Sequence, residues 1–227
     1  MKIKYLGHSA FLIKTNNEGI LIDPFLVFSK EYSNTEKFKK ENIKTIFVTH
    51  GHSDHFGSAI EISKLTKAPI VGVFELGNYC LSKGADAIPA ALGGRLDFSW
   101  GSATLVPAQH SSSLPDGRYM GVACGIMLNI EGQNIYHAGD TSLSAEMGVL
   151  SEFYAPSISM LPIGGHYTMG IDEACYAAKL LGSKVVIPMH YNSFEQIKID
   201  INVFIENFQT IMGFAPAIID IDEEVVL

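Results

Sequence analysis

Ile46-Phe47-Val48-Thr49-His50-Gly51-His52-Ser53-Asp54-His55 is the stretch that decides how this chain is read. An apolar run stops abruptly, and three histidines and an aspartate follow at once. Neutral imidazole suits zinc and other divalent first-row ions, and a carboxylate adds a hard anionic ligand. In extended backbone His50 and His52 project to the same side. The turn allowed by Gly51 and Ser53 then swings Asp54 and His55 toward a second, adjacent ion. With 8 histidines in 227 residues, chance alone gives this pattern in on the order of a few chains per ten thousand.

Three later positions complete such a centre. Ala103–His110 reads as a strand ending in His110, a third imidazole for the ion that His50 and His52 hold. Val122–Ile130 and Asn134–His137 read as a hairpin turning at Glu131-Gly132, and the second strand runs on into Gly139-Asp140. A carboxylate directly after a glycine turn can sit between two cations, so Asp140 is expected to bridge. Lys184–Met189 is a strand ending at His190, the last expected ligand. One ion is thus assigned His50, His52 and His110, the other Asp54, His55 and His190.

Thr49-His50-Gly51-His52-Ser53-Asp54-His55 resembles the signature of the metallo-β-lactamase superfamily. Tyr136-His137-Ala138-Gly139-Asp140, Leu161-Pro162-Ile163-Gly164-Gly165-His166-Tyr167 and Ile187-Pro188-Met189-His190-Tyr191 narrow the resemblance. They are similar to a compact family of uncharacterised metal-dependent hydrolases related to ascorbate-6-phosphate lactonase and, more distantly, to N-acyl phosphatidylethanolamine phospholipase. The resemblance runs from Ile3 to Val226. It implies an α/β fold, the four-layer αβ/βα sandwich, as one domain over residues 1–227. It also implies hydrolysis of an ester-like, lactone or phosphodiester bond by a hydroxide shared between two divalent ions. Zinc is the favoured ion, with manganese, nickel and iron as the other candidates.

Around this centre stand residues with two readings each. Asp23, closing the strand Ile20–Asp23, orients a ligand histidine or ligates directly. His8, in the turn Gly7-His8-Ser9, is either satisfied by backbone groups or, as the resemblance implies, lies at the cleft rim. His137 is a buried strand histidine or touches the site. Arg118, in the loop Ser111–Tyr119, is a surface charge or a substrate contact. His166, after two glycines, is a general acid or a loop histidine held by backbone groups. Asp54 is counted with the catalytic residues because it can orient the water.

The rest of the chain reads as alternating strands and helices. Helices are expected over Ala59–Leu65, near Leu76–Ser82, over Asp172–Leu181 and over Asp200–Met212. In the last, Ile201, Phe204, Ile205, Phe208 and Ile211 are expected inward. Lys30–Lys44 reads as a solvated excursion with helical character, and Ala217–Ile221 and Val225-Val226 as closing strands. The formal charge of −8 argues against nucleic acid as a partner, since phosphate backbones demand clustered Lys and Arg. No apolar span of membrane length is present, and Cys80, Cys124 and Cys175 read as buried reduced thiols of a cytoplasmic protein. A small-molecule substrate is expected; a homo-oligomer is compatible with the sequence. A flavodiiron-type reductase would carry glutamate where this chain has His52. Beside hydrolysis, a nuclease or phosphodiesterase of the same superfamily and a non-catalytic metal-binding module are the alternatives.

Overall fold

The computed structural model describes residues Met1–Leu227 and gives each half of the chain its own sheet. In the first half, β1 (Lys2–Gly7), β2 (Ala10–Thr15) and β3 (Glu18–Ile22) form an antiparallel meander. Three parallel strands extend it: β4 (Ile43–Phe47), β5 (Ile70–Val73) and β6 (Ala87–Ala90). In the second half β7 (Arg95–Phe98), β8 (Gly101–Pro107), β9 (Cys124–Ile130) and β10 (Gln133–His137) are again antiparallel. The strands β11 (Ile158–Pro162) and β12 (Val185–Met189) then join in parallel. The closing strand β13 (Glu224–Val226) returns to pair with β1 at the edge of the first sheet.

The parallel strands need helical crossovers. A one-turn helix α1 (Ser53–Phe56) and α2 (Ala59–Thr66) follow β4, and α3 (Phe74–Ser82) follows β5. On the other sheet lie α4 (Glu146–Tyr154), α5 (Ile171–Leu181) and α6 (Ile201–Met212). Asp200 caps α6 by accepting the Asn202 N–H at 2.9 Å, the expected role of an aspartate at that position. Gly182 and Gly213 close α5 and α6 in left-handed conformation, as helix C-termini favour.

The two sheets share one apolar core of 57 buried side chains. Trp100, between β7 and β8, stitches them: its indole N–H donates to Thr45 Oγ1 of β4 at 3.0 Å and its ring stacks on Phe98. Burying each large core side chain contributes roughly 1.5–3 kcal/mol, so this shared interior holds the ligand-bearing strand ends in register.

Four features depart from the sequence expectation. Helix α4 was not anticipated, because only Met147 and Leu150 of its turns are buried, leaving almost no apolar stripe to read. In α6 Phe204 and Phe208 are buried and Ile201 packs partly buried against the core, but Ile211 is 43% exposed. Lys30–Lys44 has its expected helical character in a 3-10 helix over Thr35–Lys40 but is not wholly solvated: Tyr32 and Phe38 stack at 4.7 Å and are buried. Ala217–Ile221 forms no strand, although Ala217 N–H donates to Val186 O at the edge of the second sheet.

Candidate metal centre

Every ligand candidate sits just past a strand, where chain direction reverses at one edge of the sandwich. The first sheet delivers Asp23 after β3 and His50, His52, Asp54 and His55 after β4. The second delivers His110 after β8, Asp140 after β10 and His190 after β12. Gly139 makes one of these approaches workable. Its φ is +61°, and a Cβ there would lie 2.7 Å from Cys124 O and 3.0 Å from Thr49 Cβ, so only glycine lets β10 swing Asp140 against the histidine loop.

The side chains meet as three overlapping groups linked through His50 and His55. Ligand atoms of His50, His52 and His110 all lie within 4.8 Å of one another, as do those of His50, His55 and Asp140. A further group is made by His8, Asp54, His55 and His190. Asp140 Oδ2 lies 3.0 Å from His190 Nε2 and 3.5 Å from His110 Nε2, while Oδ1 lies 3.1 Å from His55 Nε2. One carboxylate therefore faces imidazoles of both expected ion sites.

Asp23 holds the histidine loop by hydrogen bonds. Its fully buried carboxylate accepts from Thr49 N–H at 2.8 Å, Thr49 Oγ1 at 2.7 Å and His55 Nδ1 at 2.7 Å. The Thr49 hydroxyl proton is thereby used, so its oxygen accepts from His50 Nδ1 at 3.1 Å. Both histidines are left with Nε2 aimed into the centre, which is how supporting groups prepare metal ligands.

The donors so aimed fit cations better than one another. His55 Nε2, Asp140 Oδ1 and both ring nitrogens of His190 are buried with no hydrogen-bond partner, despite neighbours near 3 Å. Buried polar atoms are ordinarily satisfied. His50 Nε2 and His52 Nδ1 stand 3.0 Å apart, a hydrogen bond in one tautomer of His52 and, in the other, two electron pairs that a shared cation would reconcile. Electrostatics agree with that demand. Burial, then the positive neighbour His55, holds His50 well below its ordinary pKa and so neutral. At His55 burial is outweighed by Asp140 and Asp23, which raise it well above the ordinary value. Burial works against the Asp140 carboxylate, yet His55 and His190 hold it well below the usual range. The centre is built to balance anionic carboxylates with positive charge.

The remaining expectations divide. His137 does not touch the centre: its Nε2 faces Ser9 O at 3.0 Å and its Nδ1 accepts from Gly139 N–H. It joins the β1–β2 turn of one sheet to β10 of the other. Arg118 does not face the centre either. Its guanidinium lies over the Tyr79 ring at 5.3 Å and beside Asp116, because the hydrogen-bonded turn Leu114–Arg118 points it outward. Arg118→Ala is accordingly expected to change turnover by no more than about twofold, the scale of a surface substitution, in steady-state assays.

His8 is neither backbone-satisfied nor at the rim. Its ring is buried and lies between Ser193 Oγ at 2.6 Å and Asp54 Oδ2 at 3.1 Å. His166 is exposed and lies outside the hollow above the cluster. That hollow, about 270 Å³, is lined by His52, Asp54, His110, Ser111, Asp140, Tyr167 and His190. Consecutive left-handed residues, Gly165 and His166, turn the histidine away and bring Tyr167 in. Tyr167 was missed; nothing in Gly164-Gly165-His166-Tyr167 marks which of the last two side chains faces inward.

Residues 2–190 match the family model of the beta-lactamase superfamily domain, and the sheets and helices described above are the metallo-β-lactamase fold. The chain belongs to the UPF0173 metal-dependent hydrolase family within that superfamily. It is 46% identical over 203 residues to the family protein of Staphylothermus marinus, covering 87% of this chain and 86% of the relative. With the Methanocaldococcus jannaschii relative it shares 39% over 212 residues, covering 92% and 93%. Among solved structures it resembles Igni18, a metallo hydrolase of Ignicoccus hospitalis, with TM-score 0.90, 38% identity and coverage of 99% and 97%. An isothiocyanate hydrolase from Delia radicum gut bacteria shares the fold at TM-score 0.75 and 19% identity, covering 100% and 99%. No helix in the chain is long and apolar enough to cross a membrane.

Proposed function

We propose that this chain is a dinuclear metal-dependent hydrolase acting on an ester-like, lactone or phosphodiester bond of a small molecule. The observation that carries the reading is the set of buried nitrogen and oxygen atoms on His55, Asp140 and His190 that have no hydrogen-bond partner, a costly arrangement unless something cationic takes them up. His50, His52 and His110 would hold one ion, Asp54, His55 and His190 the other, with Asp140 between them. When bound, such a pair lowers the pKa of a shared water toward neutrality and polarises the scissile group. Zinc suits the imidazole-rich set; manganese, nickel and iron are the other candidates.

The chain's own groups supply the rest. Asp54 lines the hollow and is poised to orient the attacking water. Burial raises its carboxyl, but the hydrogen bond from His8 and the charge of His55 outweigh it and keep the pKa below the usual range, so it stays anionic. Tyr167, at the same hollow, is placed to donate its phenol proton or a hydrogen bond to the oxygen that gains charge. Tyr167→Phe is expected to lower kcat about 10- to 100-fold, the worth of a hydrogen bond to a charged group. His166→Ala is expected to stay within about threefold; the reverse order would return the acid role to His166.

The test is turnover on a panel of esters, lactones and phosphodiesters before and after chelation. Activity on at least one class, abolished by chelation and restored by a divalent ion, is the expected result. Tight metal binding with no turnover on any member would favour a non-catalytic module.

A further inference from the structure

His8 is held too firmly, and too close to the centre, for a turn residue. It follows β1 in left-handed conformation, φ +57°, a geometry that costs a non-glycine residue energy and persists only when surroundings impose it. Here they do. Its carbonyl accepts from His190 N–H at 2.7 Å and from Tyr5 Oη at 2.9 Å, so the backbone of one expected ligand fixes that of His8. The ring packs 4.1 Å from the His190 ring and 5.4 Å from His55, centroid to centroid. One ligand atom from each of His8, Asp54, His55 and His190 lies within 4.8 Å of the other three.

We propose that His8 Nε2 is a further protein ligand of the ion assigned to Asp54, His55 and His190. The inference rests on the dinuclear reading above. Two proton placements are open to the His8 ring. If Ser193 Oγ accepts the Nδ1 proton, its own proton turns toward Tyr191 O, 3.4 Å away. Nε2 then presents a lone pair to Asp54 Oδ2 at 3.1 Å, and a cation between them converts that repulsion into shared coordination. If Ser193 donates to Nδ1 instead, Nε2–H merely orients Asp54. Ser193 Oγ at 2.6 Å plays for His8 the part that Asp23 plays for His55: it fixes one nitrogen so that the other faces inward.

Ligation by His8 makes the two positions unlike. With the bridging Asp140, the second ion has His8, Asp54, His55 and His190 as well, which leaves one place for water in a six-coordinate shell. The first has three imidazoles and Asp140. Six-coordination suits manganese, iron, nickel or cobalt better than tetrahedral zinc, so the second position discriminates among ions that the first accepts alike.

The test uses metal-free full-length protein titrated with Co2+, read by its visible absorption and by equilibrium metal binding. Wild-type protein is expected to bind two equivalents, one giving the weak d–d bands of a six-coordinate ion. In His8→Ala and in His8→Gln, affinity for that equivalent is expected to fall by more than the roughly 10- to 100-fold that losing an orienting partner costs, and its bands should strengthen. The glutamine variant separates the alternatives, since its amide can still donate to Asp54. Wild-type binding and spectrum in His8→Gln would overturn ligation by His8. Two four-coordinate spectra in the wild type would overturn it even if neither variant folds. Failure of wild-type protein to bind any ion would instead remove the metal centre itself.

Discussion

Asp140→Asn is expected to lower turnover about a thousandfold, roughly 4 kcal/mol of transition-state stabilisation, and to cut the bound metal below two equivalents. The residue sits where both halves of the centre converge, with one oxygen facing His190 and His110 and the other facing His55. The amide has nearly the same shape but brings no charge, and its NH2 group cannot ligate. It would also take from His55 one of the two carboxylates that raise its pKa, leaving the buried imidazole with Asp23 alone. Elemental analysis beside steady-state kinetics checks this. Full metal content with undiminished turnover would remove Asp140 from the bridging role.

The second large effect belongs to a residue that need not touch metal. Asp23→Ala is expected to destabilise the metal-free protein by about 3–5 kcal/mol, because Thr49 N–H, Thr49 Oγ1 and His55 Nδ1 all lose a buried acceptor. For a domain of this size that is a fall in Tm on the order of 10 °C, read by thermal unfolding. Metal affinity is expected to drop about 10- to 100-fold as well, since His55 directly and His50 through Thr49 lose the hydrogen bonds that aim them. Asp23→Asn isolates the second effect. It keeps one acceptor oxygen and the packing, so its Tm should fall less while its metal affinity still falls. An unchanged metal affinity in both variants would make Asp23 purely structural.

Much of the centre is legible in the chain because strand ends and loops announce themselves locally. His50, His110 and His190 each end an apolar run, and Gly139 marks the turn that carries Asp140; such signals survive without knowledge of tertiary contacts. The parallel-strand helices α2, α3 and α5 are legible for the same reason. What was not legible depends on contacts between distant segments. His8 is carried inward by a hydrogen bond from His190, 182 positions on. Tyr167 replaces His166 at the hollow because two consecutive residues adopt positive φ, which only one of them, a glycine, advertises. Arg118 is drawn off by Tyr79 and Asp116. Helix α4 escapes because its exposed face includes Val149 and Phe153, 65% and 78% exposed, which blurs the apolar period.

The proposed chemistry requires two cations at one sheet edge, and counting them is the most direct test. Purified protein, stripped and then reloaded with excess zinc or manganese, is predicted to retain about two ions per chain after exhaustive dialysis, as a dinuclear hydrolase requires. His52→Ala, which removes one imidazole from the His50–His52–His110 group, should leave about one. A folded wild-type chain that retains none, or one that His52→Ala leaves fully loaded, would contradict the centre described here.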